Sequence, residues 1–419
     1  MTAVAAPAEG GVARTLASNR SFSLYFSTFF VSNVGMFMQA LGVPFVLYGM
    51  TRSKTWVGAG GFCSQMAAFS VTPLAGTLAD RVSRRAVLVL SQVIQLSAAV
   101  LLWVLAISDA LTPWRIIGSL IIGGLGAGFQ HTTAQAILPQ IVQPEHFKSA
   151  MRAFPLCFNL PRAFGPLIAG VVLRKFGPST TFAVNALSFV PFIVVIAVMH
   201  LRPATLAGNA ERWSKQFMEG FRYARANRSL WGAITLVFMM SLLGMSMLNH
   251  IADIGSEIYK VKADGLGLLS ALFGFGSVVA SISVVRIGDR LNNFGLGIAG
   301  IALQGCAVIA AVATKSFPVA LAAFFAFGLG NLMSGISMSV VVQTITEDAY
   351  RGRVGSLYMS GYLLGGPIGA LSIGVLADRI GLALTVGIFG GLLSSYAAFS
   401  GARYAGAMRR RRSILATDR

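Results

Sequence analysis

The chain has 419 residues, 55% of them hydrophobic and only 11% charged, with a formal net charge of +19. An ordinary soluble domain carries roughly 25% charged residues, so this chain cannot cover an aqueous surface and a lipid-facing exterior is implied. Lys and Arg fall in short clusters between apolar runs, such as Arg81/Arg84/Arg85 and residues 409–412, rather than along one basic face, which excludes nucleic acid as a partner.

An Ala- and Gly-rich tail, residues 1–21, carries Arg14 and Arg20 ahead of the first apolar run. That run, 22–48, is too long for a signal-peptide core and is expected to be a retained helix. A spanning helix needs about 20 mostly apolar residues. Twelve segments qualify: 22–48, 56–79, 87–107, 115–138, 152–173, 180–201, 229–253, 265–287, 295–314, 318–344, 353–376 and 383–405. The expected fold is an all-α membrane protein, with six helices in 22–201 and six in 229–405, a linker at 202–228 and a basic tail at 406–419. Segments 2 and 8 are rich in Gly and Ser, which lets helices approach closely in lipid.

The loops set the orientation. With both termini inside, 23 of the 33 Lys/Arg lie on the cytoplasmic side, nine on the outer side, and Arg162 lies inside a helix. By the positive-inside rule the chain is a multi-pass protein of a bacterial-type inner membrane with both termini cytoplasmic. In the linker, Trp213, Phe217 and Phe221 recur every four residues, so a short amphipathic helix is expected. It is either a helix on the inner leaflet tethering the two halves or a solvated connection.

The halves look like repeats. Ala79-Asp80-Arg81 returns as Gly288-Asp289-Arg290, 209 residues on, and Gly165-Pro166 returns as Gly366-Pro367, 201 residues on. Gly177 after segment 5 matches Gly381 after segment 11, at an offset of 204. Parallel six-helix halves with a binding site at their interface are a known transporter plan.

Chemistry-bearing motifs are sparse. Cys63, Cys157 and Cys306 each sit in an apolar run without CxxC spacing, and four scattered histidines form no metal motif. No phosphate-binding P-loop occurs. An enzyme, a cofactor and a metal site are therefore not expected.

The run Gly76-Thr77-Leu78-Ala79-Asp80-Arg81-Val82-Ser83-Arg84-Arg85 resembles the loop 2–3 signature of the major facilitator superfamily, with Ser83 where Gly is usual. Three further runs, residues 136–142, 159–166 and 185–189, resemble its enterobactin-exporter and macrolide-efflux branch. The resemblance covers almost the whole chain. It implies a secondary transporter that exports a small hydrophobic or amphiphilic compound by alternating access, with anionic, siderophore- or drug-like compounds among the candidates. It also implies that Gly76, Asp80, Arg81, Arg84 and Arg85, with Asp289 and Arg290 in the second half, form a conformational latch. Asp80 would face the start of segment 11, and the arginines would pair with Glu145, Glu347 or Asp348 or serve only as topology charges. The antiporter signature of segment 5 is matched only in part, since Pro161 stands where a Gly is expected.

Polar residues within the segments are candidates for a substrate cavity: Asn33, Gln39, Gln130, Gln135, Asn159, Arg162, Asn249, Asn331, Tyr358 and Tyr362. Each is equally readable as interhelical glue. Arg162, ten residues into segment 5, is expected about 15 Å deep, near the bilayer centre. There it either pins helices together or attracts an anionic substrate. Proton coupling points to His250, Asp253 and Glu257, expected at the outer edge of segment 7, and to His131. An interfacial cluster is the alternative. The partners implied are a small-molecule substrate, the lipid bilayer and a coupling proton, in a monomer. An importer or facilitator of a small metabolite, a lipid flippase and a non-transporting receptor remain as alternatives.

Overall fold

The structure, a computed structural model, describes residues 19–202, 213–287 and 292–417, with side chains at 73–81, 132, 148, 152, 213–216, 285–287 and 407–417 left out of the description. The described elements are helical. They are α1 (Arg20–Thr51), α2 (Lys54–Arg81), α3 (Arg84–Ile107), α4 (Pro113–Ala136), a short α5 (Leu138–Ile141), α6 (Pro144–Ala153), α7 (Leu156–Val198), α8 (Trp213–Ala226) and α9 (Arg228–Met239). There follow α10 (Ile251–Glu257), α11 (Ala263–Ile287), α12 (Asn293–Ala313), α13 (Phe317–Ile345), α14 (Arg351–Ile380) and α15 (Leu382–Thr417).

Every expected segment overlaps a helix. Among the described residues nine helices are long and apolar enough to cross a membrane. One of them holds segments 5 and 6 together, because α7 runs through a bend at Gly177. A count of twelve spans is consistent with this arrangement. Gly177 and Gly381 both adopt positive φ, 79° and 91°, where a Cβ would be strained, and so the repeat offset marks equivalent reversals of the chain.

Contacts divide the chain into two units, Met1–Val46 with Cys63–Ala210, and Leu47–Phe62 with Glu211–Arg419. The first is built around an aromatic cluster. Phe29 stacks on Phe154 at 5.9 Å and meets Phe192 at 4.9 Å, and the buried Tyr25 hydroxyl donates to the Ala134 carbonyl at 2.7 Å. The second packs α13 against α11 and α12, with α15 against α12. The linker helix α8 belongs to this second unit. Its Tyr223 stacks on Tyr350 at 4.2 Å, and its Glu219 pairs with Arg353 at 2.7 Å.

Three expectations need correction. Loop 2–3 is only Val82-Ser83: Asp80 and Arg81 complete the last turn of α2, and Ser83, the departure from the family signature, caps α3 by accepting the Ala86 N–H. Segment 5 does not begin at Arg152. That residue lies in α6, and the chain restarts at Leu156 after Phe154-Pro155, so Arg162 is six residues into α7, about 9 Å along it rather than 15 Å. Segment 7 is not one α-helix: a π turn at Met240–Gly244 and a 3-10 turn at Met245–His250 separate α9 from α10. The basic C-terminal residues up to Thr417 continue α15 as helix.

Candidate functional site

The second unit holds the most reactive arrangement. His250 ends the 3-10 turn and Asp253 lies in the first turn of α10, which places both on one face. Both side chains are fully buried. His250 Nδ1 lies 2.7 Å from Asp253 Oδ2, and His250 Nε2 lies 2.8 Å from the Ala370 carbonyl in α14. A carbonyl only accepts, so Nε2 carries a hydrogen. The Nδ1–Oδ2 contact then holds one proton, as imidazolium with carboxylate or as imidazole with carboxylic acid. Both forms are neutral overall, which is how the pair tolerates burial. Asp253 Oδ1 has no hydrogen-bond partner among the described residues.

The expectation placed this pair at the outer edge of segment 7; within the protein both side chains are covered. The cover comes from the turn between α1 and α2. A Cβ on Gly58 would collide with the Ala370 backbone, and one on Gly61 with the Asn249 side chain. Glycine at 58 lets α2 come this close to the α14 backbone, and glycine at 61 leaves room for the Asn249 side chain. The same turn is tied down by charge. Glu257 Oε1 accepts from the Tyr48 hydroxyl at 2.5 Å and from Lys54 Nζ at 2.6 Å. Asp378, near the end of α14, accepts from the Ser53 hydroxyl at 2.7 Å and from the Lys54 and Thr55 N–H groups at 2.9 and 3.0 Å. The start of α2 has no acidic residue of its own in its first turn, so a distant carboxylate supplies the cap. His250, Asp253 and Glu257 were foreseen from sequence; Tyr48, Lys54 and Asp378 were not. Lys54 reads as a topology charge and Asp378 as a repeat marker, and only tertiary contact reveals them.

In the first unit the polar candidates separate. Gln130 is buried and joined to Gln92 at 2.9 Å and Gln95 at 2.5 Å, with the Ser32 hydroxyl donating to Gln92 at 3.3 Å. Gln92, Gln95 and Ser32 were missed because only this network distinguishes them from other polar residues in apolar helices. Asn33 donates to the Phe29 carbonyl at 2.8 Å, and Gln39 accepts from Asn185 at 2.6 Å. Gln135 and His131 are exposed, the latter meeting Phe158 edge-on at 6.2 Å. Asn159 is half-buried, as is Arg162, whose guanidinium lies 5.8 Å from the Phe37 ring centre.

In the second unit Asn249 lies against Gly61, Asn331 is buried with an Nδ2 that has no hydrogen-bond partner among the described residues, and Tyr358 donates to the Gly335 carbonyl at 2.7 Å. The Tyr362 carbonyl accepts from Ser241 at 2.6 Å. Among the described residues, the hydrogen bonds of the His250 ring go to Asp253 and the Ala370 carbonyl and not to these side chains.

Of the latch, Gly76, Asp80 and Arg81 lie on α2 with side chains outside the description, and Asp289 and Arg290 lie outside the described residues altogether. Arg84 and Arg85 are described, and their partners are carbonyls where carboxylates were expected. Arg84 donates to Ala136 at 2.8 Å, and Arg85 to Ala197 at 3.4 Å and to Met199. These carbonyls terminate α4 and α7, where cations meet the negative ends of helix dipoles. Asp348 pairs with Arg351 at 2.6 Å instead.

The sequence profile of the transmembrane secretion effector family matches residues 15–405. The staphyloferrin A transporter of Staphylococcus aureus is 22% identical over 376 residues, 87% of this chain and 92% of that one. The enterobactin exporter EntS of Escherichia coli O1:K1 is 22% identical over 364 residues, 86% of each chain. A bacterial homologue of the human lysosomal transporter Spinster has a similar structure, with a TM-score of 0.74 at 13% identity, covering 91% of this chain and 95% of that one. The nucleoside transporter NupG gives 0.71 at 14%, covering 92% and 99%. At such identities the structural likeness speaks to fold alone.

Proposed function

This chain belongs to the transmembrane secretion effector family of the major facilitator superfamily, a class of membrane transporters rather than enzymes, and on that premise we propose that it is a proton-coupled exporter of a small anionic chelator. The name of one relative supports the direction, and two names support the substrate class, since staphyloferrin A and enterobactin are both siderophores. We read both termini as cytoplasmic from the loop charges, and the chain as acting by alternating access as a monomer.

The observation that carries coupling is the buried His250–Asp253 pair beneath the α1–α2 turn. One added proton would give imidazolium beside carboxylic acid, with a net charge of +1. An uncompensated charge in this site costs several kcal/mol unless water reaches it. Protonation therefore favours a conformation in which the covering turn has lifted, and deprotonation favours the closed one. A proton entering from outside and leaving inside would drive substrate the other way. The inner latch at Asp80 and Arg81 would alternate with this outer closure.

The test is transport of iron-free enterobactin or staphyloferrin A in proteoliposomes, with and without an imposed pH gradient. Flux that follows the gradient, and reverses with it, is expected. Flux of these chelators that is indifferent to the gradient would remove proton coupling, and no flux would remove the substrate class.

A further inference from the structure

The first unit contains a cavity that neither the coupling pair nor the latch uses. It has a volume of 320 Å³ and lies where α1 begins and α7 ends. Arg20, Arg202, His146 and His200 contribute to its wall, with Asn19 and Gln140, and among the described residues no carboxylate lines it. Two permanent positive charges and two imidazoles thus surround one polar space.

The wall is built by hydrogen bonds. Asn19 caps α1 by accepting the Phe22 N–H at 3.0 Å, which fixes the first turn of a 32-residue helix at the cavity. The positive end of that helix dipole adds to the arginines. The segment after α7 is stitched to the connection between α5 and α6: the Arg202 N–H donates to the Gln140 carbonyl at 3.1 Å, and its guanidinium to the Val142 carbonyl at 3.4 Å. His200 and Arg202 are thereby held at the same cavity as His146 of α6.

Charge, size and depth converge on one ligand chemistry. Small-molecule sites begin at about 300 Å³, enough for a phosphate with its glycerol. Guanidinium forks match phosphate oxygens. Arg20 is the first residue of an apolar spanning helix, which sets the cavity at the level of lipid headgroups, where basic pockets between helices take anionic lipids. We propose that this cavity is a binding site for a phosphate oxyanion, carried by an anionic phospholipid headgroup or by free phosphate. The site does not depend on the direction of transport or on the coupling pair.

The experiment uses the full chain in neutral detergent, titrated with phosphatidylglycerol, with phosphatidylcholine of the same acyl chains, and with inorganic phosphate against chloride at equal ionic strength. Bound lipid is counted by native mass spectrometry. Phosphatidylglycerol should bind at least 5-fold more tightly than phosphatidylcholine, and Arg20→Gln with Arg202→Gln should abolish the preference. Displacement by phosphate but not chloride would assign the site to the phosphate group alone, and retention of the lipid would assign it to the headgroup. Equal binding of the two lipids, or an unchanged preference in the double variant, would overturn the proposal. If that variant does not fold, His146→Asn with His200→Asn must lower the preference at least 2-fold, and no change there would overturn it equally.

Discussion

His250 Nδ1 stands 2.7 Å from Asp253 Oδ2, one turn apart on the same helical face, with neither side chain reaching solvent. The Ala370 carbonyl fixes the hydrogen on the far nitrogen, so a single proton decides the state of the pair. Asp253→Asn removes that proton and leaves a neutral amide able to donate to Nδ1. The variant should fold with wild-type thermal stability and exchange substrate across a proteoliposome membrane, but it should no longer concentrate substrate against a pH gradient. His250→Ala is different in kind, because it strands a buried carboxyl; losing one partner of a buried polar pair costs about 1–3 kcal/mol. Its melting temperature should fall. Gradient-driven accumulation by the Asn variant would disconnect the pair from coupling.

The α1–α2 turn rests on Glu257, whose one oxygen takes both Tyr48 and Lys54. These groups are partly exposed, so the ion pair is worth no more than about 1 kcal/mol. That is still enough to shift a two-state equilibrium about 5-fold. A cysteine placed at Asn249, behind Gly61, reports on opening in a background without the native cysteines. Glu257→Gln together with Lys54→Met should raise its labelling by a membrane-impermeant maleimide roughly 5-fold. An unchanged rate would show that the clasp does not hold the turn closed.

The helices were legible in the sequence because lipid imposes length and apolarity on each of them, and the Gly177 and Gly381 reversals because a repeat copies its turns. The spacing of His250, Asp253 and Glu257 was equally plain. Their burial was not, and neither was the break in segment 7, where the chain takes a π turn and a 3-10 turn without a proline to announce either. The residues that cover the pair lie far away in the chain: Tyr48 is 209 positions from Glu257, and Lys54 is 324 from Asp378. A single sequence carries no sign of such pairings. Arg84 and Arg85 show another limit, since the carbonyls they reach at Ala136, Ala197 and Met199 lie 52 to 114 positions away.

Arg84 offers a separation of structure from gating. Its guanidinium holds the last carbonyl of α4 at 2.8 Å. A hydrogen bond to a charged group contributes about 1.5–3 kcal/mol. Arg84→Gln should therefore lower the melting temperature of the detergent-solubilised protein, whereas Asp80→Asn should leave it unchanged and slow transport, as a contact made in only one conformation would. A stable Arg84 variant with impaired transport would return this arginine to the latch.

Arg162 bears on the charge of the substrate. It lies six residues into α7, with its guanidinium 5.8 Å from the Phe37 ring centre. At about 9 Å along the helix it is nearer the membrane surface than a central position would be, and it is half-buried rather than enclosed. A cation on an aromatic face is worth roughly 0.5–1 kcal/mol at such a site. Lysine would keep the charge and the contact with Phe37 but lose the planar pair of donors that grips a carboxylate or catecholate. If the fork binds substrate, Arg162→Lys should raise the KM for a polyanionic chelator at least 5-fold, leave a neutral amphiphile within 2-fold, and preserve the melting temperature; the expected 5-fold corresponds to about 1 kcal/mol, the scale of one hydrogen bond. Phe37→Leu is the control, since it removes the ring but not the fork and should affect both substrates alike. Parallel losses for the two substrates in Arg162→Lys, or a drop in its melting temperature, would make Arg162 a helix pin.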